Sequence, residues 1–307
     1  MNNNAIWQQK IEQFLAHLKT ARQLSQHTLS NYRRDLEKYV AYIRSKNISD
    51  LSQVHNADVR QWVAHLHRNG LAGPSLQRAL SALRSFYKYL NRQNGKHNNP
   101  ALDVQAPKSA KKIPKALDVD NIQQLLSIKG DDWLSVRDRA ILELFYSSGL
   151  RLSELVDSNL HDIDLSQALI TVTGKGRKTR VLPIGRYAIK ALQNWLTIRD
   201  DVNPIDDAVF LSKRGTRLGQ RAIQQRLKKY SLQQGMGQGI HPHMLRHSFA
   251  SHMLESSGDL RAVQALLGHA NISTTQVYTH LDFQHLAKVY DKAHPRAIRK
   301  TTKGEKG

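Results

Sequence analysis

The sequence predicts a mainly α protein of two domains, with one small β-hairpin or sheet in the second. Three observations predict it. The chain has 307 residues, about twice the length of a typical domain. Apolar residues recur at helical spacing through most of it, with one switch to strand-like alternation between Ala168 and Ile184. A stretch rich in Pro and Lys around residue 110 interrupts both patterns. The expected organisation is a helical domain over 1–105, a basic linker over 106–117, a second domain over 118–296 and a basic, flexible tail over 297–307.

Four amphipathic segments come first. Ile11, Phe14, Leu15 and Leu18 form one stripe, and Leu29, Tyr32, Leu36, Tyr39, Val40 and Ile43 form a second. Val59, Trp62, Val63 and Leu66 follow, with Asn56 expected to cap that helix and Gly70 to close it. Pro74 suits the opening of a fourth helix carrying Leu76, Leu80, Leu83, Phe86, Tyr87 and Leu90. Helices of this length joined by short polar turns make a small bundle, whose aromatic residues read as core rather than as platforms for bases. Arg33, Arg34, Arg78, Arg84 and Lys88 fall on the polar faces. They are candidate phosphate contacts and, equally, ordinary solvated charge.

Two prolines and four lysines between Ala106 and Lys115 describe an extended linker. Beyond it, Ile141, Leu142 and Phe145 lie on a helix that Gly149 is placed to end, leaving Arg151 just past the terminus. Leu169–Val172 and Thr179–Ile184 read as the arms of a hairpin whose tip is Gly174-Lys175-Gly176. That tip lacks the GxxxxGK[ST] spacing of a nucleotide-binding loop. Pro242 near a helix start sets His243 in the first turn, close to free N–H groups that favour an anion. Gly268 ends a helix containing Val263, with His269 just beyond, and Ser273-Thr274-Thr275 can cap another that carries Tyr278.

Composition narrows the function classes. Lys and Arg number 46 against 25 Asp and Glu, a formal charge of +21, which attracts polyanions. The excess is uneven: 19 basic and 6 acidic residues lie in 1–117, 27 and 19 in 118–307. The front of the chain thus reads as a DNA clamp and the rest as an enzyme. The absence of cysteine excludes disulfides, thiolate chemistry and Cys-based zinc sites. No run approaches the ~18 apolar residues of a membrane span, and Met1-Asn2-Asn3-Asn4 lacks a secretory signal, so a cytoplasmic location is expected.

The candidate residues for chemistry on residue type and spacing are His243, Arg246, His269 and Tyr278. Arginine presents a planar fork to phosphate oxygens, histidine moves protons near neutral pH, and tyrosine can act as a covalent nucleophile. His243 and His247 also have the i, i+4 spacing of a zinc pair, but Met244 stands where a metallopeptidase needs Glu, and Arg246 would repel the cation. No metal or other cofactor is therefore expected. His247 and His252 read as packing or capping residues of their helix.

Ser148-Gly149-Leu150-Arg151-Leu152-Ser153-Glu154-Leu155, Thr173-Gly174-Lys175-Gly176, His243-Met244-Leu245-Arg246, Leu266-Leu267-Gly268-His269 and Gln276-Val277-Tyr278 occur in the order seen in the tyrosine site-specific recombinases. The chain resembles that phage-integrase family from about residue 5 to residue 296, and its segments 251–260 and 279–286 look like the Xer branch. The resemblance implies a C-shaped clamp on DNA, built from a core-binding, SAM-like α-bundle and a catalytic domain. It implies Tyr278 as nucleophile, Arg151 and Arg246 on the phosphate, His243 as base, Lys175 as acid to the leaving oxygen, His269 as a phosphate donor and Glu154 as an orienting acceptor. It further implies a double-stranded recombination site, a XerD-like partner in a 2+2 heterotetramer, resolution of chromosome dimers, and a DNA translocase acting on the complex. Phe283, Leu286, Val289 and Tyr290 could dock on a neighbour or pack within the chain. Three other readings stay open on sequence: a relaxing topoisomerase of the related tyrosine class, although that usually has a larger body, a phage or element integrase of the same chemistry, although few residues precede the first helix, and a non-catalytic DNA-binding regulator.

Overall fold

The computed structural model describes residues 3–22, 24, 26–94, 98–107, 116–174, 178–237, 239–268 and 289–296. Two compact units make up the chain, Met1–Lys112 and Ile113–Gly307. The described residues are mainly helical, with one three-stranded sheet.

The first unit holds α1 (Asn3–Arg22), α2 (Gln26–Ser45), α3 (Asn56–Arg68) and α4 (Gly73–Asn94). Their apolar stripes meet in one core: Ile11, Leu36, Tyr39, Val59, Trp62, Phe86 and Tyr87 are all essentially inaccessible. The aromatic residues pack edge to face, Tyr39 on Trp62 at 5.1 Å and on Tyr87 at 6.3 Å. The hydroxyls of Tyr39 and Tyr87 share a 2.8 Å hydrogen bond, so neither phenol is buried unsatisfied. These rings are core, as the spacing predicts. The cap of α3 differs from expectation. His55 is the N-cap, and its N–H donates to Asp58 Oδ2 at 2.8 Å. Asn56 lies inside the helix and donates instead to the carbonyl of Pro100 at 3.1 Å, tying the end of the unit to α3.

The second unit begins with α5 (Val119–Leu126) and α6 (Trp133–Ser147). Asp132 caps α6 by accepting from the N–H groups of Leu134 and Ser135. From Ser135 to Ser147 only Arg139 escapes full burial, so α6 is the central post of this unit. Short α7 (Leu152–Asp157) leads to β1 (Ile163–Asp164), β2 (Leu169–Thr173) and β3 (Thr179–Pro183). Both pairings are antiparallel, in the order β1-β2-β3, with Ile163 opposite Ile170 and Val172 opposite Arg180. The expected hairpin is thus present, and β1 extends it. The helices α8 (Arg186–Ile198), α9 (Gln220–Gln233), α10 (Pro242–Ser257) and α11 (Leu260–Leu267) follow. Tyr290, a candidate for docking on a neighbour, is buried in its own chain, where its hydroxyl meets Ser147 Oγ at 2.8 Å. Phe283, Leu286, the linker core 108–115 and the tail from 297 lie outside the described residues.

Candidate active site

Gly149 makes the first part of the site possible. It follows α6 with φ +56°, and a Cβ there would lie 2.2 Å from the Phe249 ring. Only glycine allows both the left-handed turn and that approach. The turn delivers Arg151 to the N-cap position of α7. Glu154, one helical turn on, points back: its carboxylate accepts from the Arg151 N–H and from Arg151 Nη1, both at 2.7 Å.

That carboxylate is almost wholly buried and is shared. Arg180, on β3, donates from Nη1 to Glu154 Oε1 at 2.7 Å and from Nη2 to Oε2 at 2.9 Å, a bidentate fork. Arg246, on α10, approaches the same group at 4.0 Å. Burial by itself would raise the Glu154 pKa, but the Arg180 fork, the Arg151 N–H, the charge of Arg180 and the Arg151 guanidinium hydrogen bond overcome it and hold the carboxyl at about 2. Arg246 is affected in the opposite sense. Burial, and then the charge of Arg151, push its guanidinium down to about 10, which still leaves it protonated at neutral pH. Three cations around one carboxylate leave a surplus of two positive charges. Arg151 is the most open of them, with a third of its side chain exposed.

The end of α11 completes the arrangement. Its last carbonyls each take one arginine: Leu266 from Arg180 Nε at 3.1 Å, Leu267 from Arg246 Nη2, and Gly268 from Arg151 Nη2 at 2.9 Å. Arg246 Nη1 also donates to the carbonyl of Gly149 at 2.6 Å. Cations at a helix C-terminus suit the partial negative charge there.

Arg151, Glu154 and Arg246 are therefore brought together. His243 is exposed in the first turn of α10, behind Pro242 as expected and three residues before Arg246. Lys175, His269 and Tyr278 lie outside the described residues, but their chain neighbours are placed. A Cβ on Gly174 would stand 3.5 Å from Arg180 Nη1 and 3.6 Å from Arg151 Nη1. Gly268, which precedes His269, is the acceptor for Arg151. Among the other histidines, His252 packs inside, bonded through Nδ1 to the Tyr146 hydroxyl at 2.8 Å, whereas His247 is exposed. Sequence reasoning missed Arg180. The signal was available: β3 alternation puts Arg180 on the face of buried Leu182, and an inward-facing arginine requires an acid.

The candidate DNA contacts of the first unit divide. Arg33 pairs with Glu12, Arg34 donates to Asn31, and Arg78 forks onto Asp35 at 2.8 and 3.1 Å. Arg84 donates to the carbonyls of Ala101 (at 2.9 Å) and Val104, so it braces the segment after α4. Lys88 is exposed on the same helix.

Residues 115–285 match the phage integrase family, and residues 11–94 match the phage integrase N-terminal SAM-like domain. The tyrosine recombinase XerC of Pseudomonas syringae pv. syringae is 56% identical over 295 residues, covering 96% of this chain and 98% of that protein. This chain is a tyrosine recombinase of the phage integrase family. The XerC of Pseudomonas aeruginosa is likewise 54% identical, across 94% of this recombinase and 96% of its own length. A crystal structure of the XerH site-specific recombinase bound to its palindromic difH substrate shares the fold, with a TM-score of 0.70 at 24% identity over 92% of this chain and 84% of that one. The recombinase is thus an enzyme of XerC type that breaks and rejoins DNA strands. No helix among the described residues is long and apolar enough to cross a membrane.

Proposed function

We propose that this recombinase exchanges DNA strands at a short two-armed site together with a XerD-like partner, two copies of each, and so resolves chromosome dimers in the cytoplasm. The reading rests on likeness to XerC proteins along nearly the whole chain. One observation carries the chemistry: Arg151 and Arg246 converge on buried Glu154 with positive charge to spare. A phosphodiester resists attack because its transition state adds charge at phosphorus. Preorganised guanidinia meet that charge without reorganising, as a metal ion does elsewhere. In this scheme Arg151 and Arg246 hold the non-bridging oxygens, and Glu154 keeps Arg151 in register.

Tyr278 attacks phosphorus in line. The P–O bond to the 5′ oxygen breaks, a 3′-phosphotyrosyl bond forms, and Lys175 gives its proton to the departing 5′ oxygen. His243 accepts the phenol proton, and His269 donates to the phosphate. The covalent bond conserves the phosphodiester's energy, so a new 5′ hydroxyl can religate without ATP. Of the five candidate phosphate contacts in the first unit, Lys88 and Arg34 are exposed, whereas Arg33 is partly buried and paired with Glu12.

A nicked suicide substrate bearing the paired site tests this reading. The expected result is a covalent protein–DNA band on a denaturing gel that is lost in Tyr278→Phe and strengthened by the XerD-like partner. Tight, salt-sensitive DNA binding with no band under any condition would overturn it.

A further inference from the structure

We propose that Arg180 is a positioning residue for strand cleavage, holding Glu154 and, through it, the phosphate-facing Arg151, while it ties the β2–β3 hairpin to the end of α11. The inference rests on the reading of this pocket as the place of cleavage. Its basis is geometric. Arg180 uses all three guanidinium nitrogens on its own chain: Nη1 and Nη2 on the two oxygens of Glu154, and Nε on the carbonyl of Leu266. Its side chain is 13% exposed, against 33% for Arg151, so it stands behind the open arginine.

Two glycines make room for it. A Cβ on Gly268 would press to 3.1 Å on Arg180 Cδ and Nε, and one on Gly174 would reach 3.5 Å from Nη1. The guanidinium thus sits between the residue that leads to Lys175 and the residue that precedes His269. Elements carrying two of the proposed chemical groups meet on this one side chain.

Half of the Glu154 hydrogen bonds come from Arg180, the others from Arg151 itself. Without the fork, a buried carboxylate loses two donors that water cannot replace. Its hold on Arg151 then loosens, with Arg246 at 4.0 Å as the other cation beside it among the described residues. Misplacement of a phosphate-binding group by about 1 Å can cost 10²-fold in rate. DNA affinity should barely change, since it comes from many backbone contacts.

The test is single-turnover formation of the covalent complex on the suicide substrate at saturating protein, with DNA affinity measured by gel shift. Wild type, Arg180→Gln, Arg180→Lys, Glu154→Gln and the double variant Arg180→Gln/Glu154→Gln are compared, each first checked for a cooperative thermal transition. Arg180→Gln is expected to cleave about 100-fold more slowly with Kd within about threefold of wild type. Arg180→Lys should recover part of the rate, because it keeps the charge but not the fork. In the Glu154→Gln background the further loss should be under about threefold, since the effect runs through Glu154. Wild-type cleavage by Arg180→Gln, multiplying effects in the double variant, or a loss confined to Kd would each overturn the proposal. Should Arg180→Gln fail to fold, Arg180→Lys decides: a slower rate at unchanged Kd supports the role, and a wild-type rate ends it. Absence of covalent product from the wild type would instead sink the cleavage reading itself.

Discussion

At the scale of single residues, two side chains one helical turn apart on α4 illustrate how charge divides its work. Arg84 and Lys88 both lie on the polar face of α4, yet Arg84 spends its guanidinium on the carbonyls of Ala101 and Val104 while Lys88 faces solvent. Arg84→Ala is expected to destabilise the first unit by about 2–3 kcal/mol, since two carbonyls lose a charged donor. Lys88→Ala should leave stability within about 0.5 kcal/mol. It should nonetheless lower the slope of log Kd against log salt by about 1. Denaturant unfolding and salt-dependent gel shifts measure the two effects separately. An unchanged salt slope for Lys88→Ala would remove that residue from the DNA face.

At the scale of elements, the turn from α6 to α7 and the β2–β3 hairpin position the proposed catalytic groups. The turn depends on Gly149, whose missing Cβ leaves space for Phe249 and whose carbonyl receives Arg246. Gly149→Ala combines left-handed strain with a clash against a buried ring, an expected cost of roughly 2–4 kcal/mol. Cleavage should fall with it, because Arg151 and Arg246 both take their places from this turn. A thermal melt matching wild type would show that α10 can retreat from the turn without penalty. The hairpin contributes differently: its inward face carries Arg180 beside Leu182, so a strand that packs the core also supplies a charge to the pocket.

At the scale of the whole molecule, net charge governs association and buried titratable groups govern pH response. The +21 charge makes DNA binding strongly salt-dependent. Acid stability turns on His294, fully buried, stacked on Tyr290 at 4.8 Å and accepting the Arg296 N–H at Nδ1. Burial, helped by the charge of Arg296, pushes that imidazole from 6.5 down to about 3. The neutral form is therefore the folded form. As pH drops below 6.5 the unfolded chain takes up a proton that the folded one refuses, so stability falls with acidification until the folded value is reached. Between pH 7 and pH 5 the expected loss from this residue is about 2 kcal/mol. His252, also lowered by burial, acts in the same direction. Glu154 does not contribute in that window, because its depressed carboxyl loses stability only below its ordinary 4.5. Unfolding at both pH values should show a smaller acid loss for His294→Gln, and equal losses would assign the effect elsewhere.

By itself, the sequence determined the elements and named the candidate chemical groups. Helical and strand periods are local properties, written in residues two to four apart, so the four stripes of the first unit and the hairpin arms were legible. The order of Arg151, Lys175, His243, Arg246, His269 and Tyr278 was legible for the same reason: motifs are short. Tertiary structure alone decided the pairing of charges. Arg180 finds Glu154 across 26 residues and Arg151 finds Gly268 across 117, and no local pattern encodes either. Asp138 is buried on α6 beneath Arg137, Arg226 and Tyr230, partners as distant as 92 residues along the chain. At the start of α3, too, His55 is the cap, and Asn56 spends its amide on the carbonyl of Pro100, far along the chain. A charged or polar group leaving water must find a partner wherever the fold brings one, and that requirement is satisfied in three dimensions rather than along the chain.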